Sequence, residues 1–305
     1  MAAGKKRANE RSAATLRVMW QPVDTRDASA VAGEVARLYL GMYPGESPAL
    51  LREAFNYLAG CFRGDNPKYQ ALDVRYHDLE HTLQGALCLA RLLHHRHLAG
   101  ADPRFSRNLF ELGILAVLLH DTGYLKRPGD SEGTGAKYTA VHVIRSAEFA
   151  AECLAKKGFS GPDIRAVQNM IRCTGMGVNL AAIAFQTDKE RLVGYALGTA
   201  DLLGQMAADD YVDKLPVLYE EFEEAAAYYP NRHPANTRYP SAVALMRHTP
   251  EFWRGYVWPR LNQDFGGLYH FLEDPYPGGP NRYLQRIERN LARLREQLAQ
   301  TESSA

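Results

Sequence analysis

The chain has 305 residues, of which 46% are hydrophobic and 23% charged, so it is long enough for one large domain with a full core or for two small ones. Its formal net charge of +1 excludes a protein-wide field that would favour nucleic acid or an anionic membrane. A small phosphorylated substrate is not excluded, because such a ligand needs only local positive charge.

Residues 1–14 are polar, small and charged, and they are predicted to form a disordered tail. From residue 15 to residue 300 the pattern is helical almost throughout, without convincing alternating strands. In chain order the predicted helices are Ala30–Tyr43, Pro48–Phe62, His77–His97, Leu109–Leu119, Lys137–Lys157, one that begins at Pro162, Asp188–Met206, Asp210–Tyr228, Glu251–Leu272 and Arg282–Ala299. No break in composition divides this region, so we expect an all-α protein with one domain.

Two of these helices have informative faces. Leu109–Leu119 is nearly all apolar and is predicted to be a central, fully buried helix. The last helix carries one apolar stripe, formed by Leu284, Ile287, Leu291, Leu294 and Leu298. This stripe must be buried either on the chain's own core or across a homodimer.

Cysteine usage and the lengths of apolar runs bear on the cellular compartment. The four cysteines, Cys61, Cys88, Cys153 and Cys173, include no C-x-x-C pair and indicate reduced thiols rather than a disulfide framework. No apolar run approaches the ~20 residues that span a bilayer, and no apolar stretch follows the basic residues 5–7, so no signal peptide is predicted. We therefore expect a cytoplasmic protein without a membrane partner.

The most apolar helix ends in His120 and Asp121. A histidine and a carboxylate at a buried helix end are costly unless they are paired or bind a metal, and the negative end of the helix dipole favours a cation there. The pair is a candidate metal site. The alternative is an ordinary helix end with a solvated aspartate.

Three further residues, His77, His81 and Asp201, are candidates for the same metal site. His77 and His81 are four residues apart and share one helix face, which is typical either of metal or acid–base chemistry or of a polar helix start that faces solvent. The nearby histidines are predicted to lie on the surface; they are His94, His95 and His97. Asp201 lies in an apolar helical run, where a carboxylate needs a metal, a cation or a structural salt bridge.

In this order the residues resemble the signature of the HD-domain metal hydrolases, and among these most closely the helical cyclic nucleotide phosphodiesterases. The matching segments are Tyr76–Thr82 for the family's Tyr-His-Asn-x-x-His-Ala, His120-Asp121 for its His-Asp, Ala200–Leu202 for its Ala-Asp-Leu and Glu220–Phe222 for its Glu-Glu-Phe. The likeness covers roughly residues 70–260. It implies a single HD-type helical bundle over residues 15–300, with a metal-binding core at about 70–230 and C-terminal helices at 240–300.

The resemblance also implies roles. His81, His120, Asp121 and Asp201 would bind metal, and His77 would protonate the leaving group without being a ligand. Such a mixed nitrogen and oxygen site suits one or two divalent ions, and Mg, Mn, Zn and Fe all remain open. Asp121 would act in catalysis as well, because it could bridge to a second ion.

The chain departs from the phosphodiesterases at three places. Tyr124 stands where their His-Asp-x-x-His motif has its second histidine, Asp78 replaces the asparagine, and no glutamine is found to read a purine ring. His142 is either a ligand of a second metal or a contact to the substrate or to a ligand. A further histidine of a two-metal site would fall near residues 171–174, where Arg172 and Cys173 stand.

The glycine-rich segment 126–137 follows the His-Asp pair and could close over a substrate; the alternative is a solvated connection. The candidate phosphate contacts are Lys126, Arg127, Lys137 and Arg172. The sequence thus predicts a metal-dependent phosphohydrolase that cleaves a phosphoester of a nucleotide-like small molecule with a metal-activated hydroxide. The alternatives are a di-iron oxygenase of the same fold and a non-catalytic helical protein.

Overall fold

The computed structural model describes residues 22–228 and 239–303, and within these residues every regular element is helical. The α-helices are α1 (Ala28–Met42), α2 (Ala49–Arg63), α3 (Leu79–Leu98), α4 (Arg107–Leu119), α5 (His142–Lys156), α6 (Gly161–Arg172), α7 (Asp188–Met206), α8 (Tyr211–Tyr228), α9 (Ala242–Phe252) and α10 (Arg282–Ser303). The all-α prediction is confirmed. The predicted tail, residues 1–14, lies outside the described residues, and a single HD-type domain stays a prediction.

Short polar side chains begin the helices that carry the candidate site. The Asp78 carboxylate accepts from the backbone N–H of His81 at the start of α3, Ser106 caps α4 in the same way, and Thr187 caps α7. Each cap satisfies a backbone donor that the first helical turn leaves without a partner. The cap at Asp78 also places His81 in the first turn of α3.

Helices α3, α4 and α7 pack against one another in the core. Gly204 allows the close approach of α7 to α3, because a Cβ at this position would lie 3.0 Å from backbone atoms of Gln84 and Gly85. The apolar helix α4 is buried from Phe110 to Leu119, as its sequence predicts. This three-helix arrangement brings together residues that are up to 120 positions apart in the chain.

The prediction of one helix over residues 137–157 is wrong. A short 3-10 turn, Gly135–Tyr138, comes first, and α5 begins only at His142. The chain bends because the Thr139 hydroxyl donates to Ala136 O (2.7 Å) and Thr139 O accepts from His142 Nδ1 (2.7 Å). His142 therefore lies at a helix start beside the candidate site.

The prediction of a single helix over Glu251–Leu272 is also wrong. Helix α9 already begins at Ala242, where Ser241 caps it, and it is followed by π-helical segments at Trp253–Val257 and Arg260–Asp264. Gly266 and Gly267 then adopt φ of 63° and 69°, a left-handed conformation that ends the helical run.

Two histidines that were expected on the surface are buried. His94 and His95 are 6% and 4% exposed, because α1 and the segment 268–272 cover this face of α3. Burial lowers the pKa of His94 to about 4, and His95 Nδ1 lies 3.0 Å from the Phe271 carbonyl oxygen. His97 is half-buried.

The stripe on α10 packs on the chain's own core, where Ile287, Leu291 and Leu294 are buried. We expect Leu294→Ala to reduce the free energy of unfolding by ~2–5 kcal/mol, because it removes a fully buried side chain and leaves a cavity. Urea unfolding measures this loss. The exposed neighbour Arg295 provides a control, since Arg295→Ala should have little effect.

Light scattering on the same variant tests the alternative. An unchanged mass with reduced stability is expected if the stripe serves only the chain's own core. A loss of dimer with little loss of stability would instead assign the stripe to a homodimer, which stays a prediction.

Within residues 22–228 and 239–303, none of the helices combines the length and the apolar character that a membrane crossing needs.

Candidate metal centre

Four side chains from three helices meet in the core, and they are the four predicted ligands. His81 Nε2 lies 3.1 Å from Asp121 Oδ2 and 3.4 Å from Asp201 Oδ1. His120 Nε2 lies 3.1 Å from Asp121 Oδ2 and 3.5 Å from Asp201 Oδ1. All four are buried. His81 comes from the first turn of α3, His120 and Asp121 from the end of α4, and Asp201 from the middle of α7.

Two donor atoms of this cluster, His120 Nε2 and Asp121 Oδ2, lie close together without a hydrogen bond. His120 Nδ1 is 2.7 Å from Val117 O and must donate its proton there, so the neutral ring presents a lone pair on Nε2. His120 Nε2 lies 3.1 Å from Asp121 Oδ2 without forming a hydrogen bond, and both atoms are buried without a hydrogen-bond partner among the described residues. Buried polar atoms in this state are costly unless a proton or a metal ion satisfies them.

A divalent ion fits this set. His81, His120 and Asp121 each offer a ligand atom, and these atoms all lie within 4.8 Å of one another. Two imidazoles and two carboxylates form the mixed nitrogen and oxygen environment that Zn, Fe and Mn accept. The cluster can therefore hold a metal ion.

The pKa values of the four side chains show that the histidines and the carboxylates stabilise each other's charged forms. Burial opposes ionisation of every member, but the histidines hold the pKa of Asp121 well below its usual range and also lower that of Asp201. In turn the two carboxylates raise the pKa of His81 to about 9 against the opposing effect of burial, and they raise that of His120 well above its usual value. Without a metal, protons on the imidazoles balance the carboxylates.

This coupling predicts how metal-free protein responds to pH. Because the folded-state pKa of His81 is about 9, above its ordinary value near 6.5, its stabilising effect is fully present below about pH 6.5 and is lost as the pH rises through about 9. We expect chelator-treated protein to lose about 2 kcal/mol of unfolding free energy from this group between pH 6.5 and 8.5.

Urea unfolding at both pH values measures the change, and protein with Mn²⁺ provides the matched control. A bound ion keeps the imidazoles neutral throughout, so the stabilisation by the ion should grow with pH. An equal gap between the two samples at pH 6.5 and 8.5 would contradict the prediction.

His77 lies beside the cluster and is held by an acid that the sequence did not identify. His77 Nδ1 is 2.7 Å from Glu221 Oε2. Glu221 is 5% exposed, and its other oxygen accepts from the backbone N–H groups of Tyr76 (2.6 Å) and Arg75 (2.9 Å). Burial would raise the pKa of Glu221, but His77 and these two amides lower it below the usual value.

The sequence contains no signal that assigns a role to Glu221. Its Glu-Glu-Phe segment matches the resembling family, but no role follows from the match alone. His77 and Glu221 are 144 positions apart, and only the packing of α8 against the segment before α3 reveals the pair.

Tyr124 and His142 complete the neighbourhood of the cluster. The buried Tyr124 ring stacks on His77 with centroids 4.7 Å apart and on His142 at the same distance. His142 Nδ1 is bonded to Thr139 O, and its Nε2 lies 3.8 Å from Asp121 Oδ1. The other oxygen, Oδ2, is the one near His81 and His120, so each oxygen of Asp121 has an imidazole neighbour.

Residues 128–273 match a family model described as Npun_R2479-like. The matched part contains His142, Asp201 and Glu221, whereas His81 and the His120-Asp121 pair precede it. Comparison with curated proteins finds no significant match.

The four predicted phosphate contacts are engaged elsewhere or lie apart from the cluster. Lys126 is buried and donates to Asp73 and Gly133 O, both at 2.7 Å, and Lys137 is buried against Asp130. Arg127 is exposed over the Tyr69 ring. Arg172 donates to Asn169 (2.9 Å).

The segment 126–138 is therefore tied down by its own charges. It is also joined to α8, because Thr134 donates from its backbone N–H (2.5 Å) and its hydroxyl (2.6 Å) to the Glu224 carboxylate. The lysines hold the segment against its neighbours, and phosphate contact by them stays a prediction.

Proposed function

We propose that the protein is a metal-dependent phosphohydrolase of the HD type that cleaves a phosphoester of a small, nucleotide-like molecule. One observation carries the proposal: four buried ligand-type side chains converge, two of their donor atoms (His120 Nε2 and Asp121 Oδ2) have no hydrogen-bond partner among the described residues, and a histidine–glutamate pair lies next to them. A metal site alone is compatible with many activities. A positioned acid beside it is typical of hydrolysis.

His81, His120, Asp121 and Asp201 would hold the ion, whose identity among Mg, Mn, Zn and Fe is open. When bound, the ion would lower the pKa of a water ligand and polarise a phosphoryl oxygen. Asp121 has a second oxygen directed toward His142, so a second ion or the substrate can approach from that side. His81, His120 and Asp121 need little reorganisation, because their ligand atoms already lie within 4.8 Å of one another, and Asp201 Oδ1 lies 3.4 Å from His81 Nε2.

His77 is proposed to give a proton to the leaving alkoxide. Because its Nδ1 bonds to Glu221, its Nε2 is the ring nitrogen available to a substrate. The Glu221 carboxylate bonds to His77 Nδ1 and orients the ring, and the two backbone amides hold that carboxylate in place. The stacked Tyr124 ring restricts the plane of His77.

A metal-resolved activity screen tests the proposal. Metal content is measured on gently purified protein, and phosphorylated metabolites and cyclic nucleotides are then assayed with Mn, Mg, Zn and Fe supplied separately. We expect phosphate or phosphomonoester release with one ion, lost in His120→Ala. The control is His270→Ala, because His270 is an exposed histidine that also pairs with a glutamate.

Two results would overturn the proposal. Bound iron with oxygen uptake and no phosphoester cleavage would favour the oxygenase alternative, which the position of His142 near Asp121 Oδ1 allows. Absence of any bound metal from wild-type protein, with no gain on adding one, would leave a non-catalytic helical protein.

A further inference from the structure

A second cluster of charged side chains lies on the outer surface, away from the metal centre. It is formed by the segment 66–70, the end of α5 and the first residues of segment 126–138. A cavity of about 120 Å³ opens there, and its lining includes Tyr57, Lys68, Tyr69, Phe149, Lys156 and Lys157. Arg127 joins these residues from the side, with its guanidinium 5.2 Å from the centre of the Tyr69 ring. We call this set the basic–aromatic cluster.

The cluster carries more positive than negative charge. Its four cations are Lys68, Arg127, Lys156 and Lys157, all exposed. The carboxylate among them, Glu152, lies 3.8 Å from Lys68 Nζ and 3.6 Å from Arg127. Both ion pairs are exposed to solvent, which weakens them, and one carboxylate cannot balance four cations. Glu53 faces Lys157 from a neighbouring cavity.

Two of the cations are neighbours. Lys68 and Lys156 both line the cavity, and the Lys156 ammonium lowers the pKa of Lys68. Like charges repel, and neither ammonium has a hydrogen bond to a carboxylate among the described residues. An anion between them would remove the repulsion.

The aromatic rings hold the other two cations in place. Lys157 Nζ lies 5.2 Å from the centre of the Tyr57 ring, and Arg127 lies over Tyr69 in the same way. Tyr69 itself packs on Phe149 at 5.0 Å. Cation–π contacts of this kind favour one direction of a long side chain. Lys68, Lys156 and Lys157 line the cavity, and Arg127 lies beside it over the Tyr69 ring.

We propose that the basic–aromatic cluster binds a small phosphate-bearing anion at a second site, distinct from the metal centre. Ammonium and guanidinium groups that converge from several directions match the oxygens of a phosphate group. The cavity of about 120 Å³ is large enough for a small anion.

The site lies beside the segment that follows the His120-Asp121 pair in the chain. Gln70, next to Tyr69, donates from its backbone N–H to Lys126 O (2.9 Å). Its side chain donates to Arg127 O (2.7 Å) and Asp130 O (2.8 Å). An anion bound by both Lys68 and Arg127 would therefore bridge the two parts of the chain that these hydrogen bonds join, residues 66–70 and the start of segment 126–138.

Calorimetric titration of the full chain with inorganic phosphate, and separately with AMP, tests the proposal. The variants are the double substitution Lys68→Gln with Lys156→Gln, the metal-centre variant His81→Ala, and Lys189→Gln as a control for an exposed lysine at another place on the surface. At this site we expect binding to be at least tenfold weaker in the double variant and unchanged in Lys189→Gln, whereas His81→Ala should remove only the anion binding that depends on the metal centre.

Each outcome is decisive. Equal affinity in the wild type and the double variant, or no binding of either probe at millimolar concentration, would overturn the second site. Loss of all binding in His81→Ala, with the double variant unchanged, would place the anion at the metal centre and would also overturn it. Binding at the second site needs no metal, so failure of the hydrolase proposal leaves the result for the double variant unaffected.

Discussion

Asp201→Asn is expected to remove the metal ion and abolish turnover while the helices stay folded. Asp201 Oδ1 lies 3.4 Å from His81 Nε2 and 3.5 Å from His120 Nε2, so its charge acts at the centre of the cluster. Asparagine keeps the size of the side chain but removes the charge that a divalent ion needs. Metal content, circular dichroism and melting temperature, all measured on one sample, report the three expected results.

A structural role for Asp201 would produce the opposite pattern. If the aspartate only balances protonated histidines, Asp201→Asn should cost ~3–5 kcal/mol of stability and leave the metal content per folded molecule normal. The ligand set would then have to be rebuilt around His142. Asp209→Asn is the matched control, because Asp209 follows the same helix and its side chain is 93% exposed.

His77→Ala is expected to retain the metal and to reduce turnover by ~10²–10⁴-fold, the usual contribution of a positioned general acid. Glu221→Gln should reduce turnover less, because the ring remains and only its carboxylate partner is changed. If Glu221 acts through His77, the double variant should be no slower than His77→Ala alone. Steady-state rates and metal content on all three variants test this.

Additive losses in the double variant would mean that Glu221 acts independently of His77. Full activity of His77→Ala would remove its role as the acid. The surface pair His270 and Glu273, with Nδ1 and Oε1 2.5 Å apart, again supplies the control, because its loss should change neither turnover nor metal content.

The sequence by itself determined the class of fold and the ligand-type residues. Helix α7 has the bounds that its periodicity predicts, Asp188–Met206, because the spacing of apolar residues reflects local backbone geometry. Asp201 and the His120-Asp121 pair stand out for an equally local reason. A charged or imidazole side chain in an apolar run is costly and needs a partner, whatever the fold around it.

Only the tertiary structure decided which partner each group has. His77 pairs with Glu221, which is 144 positions away in the chain. Lys126 forms an ion pair with Asp73 rather than remaining available to a substrate. His94 is buried because α1 covers its face of α3. These outcomes depend on which surfaces the packed helices bring together, and a one-dimensional pattern records the need for a partner but not its position.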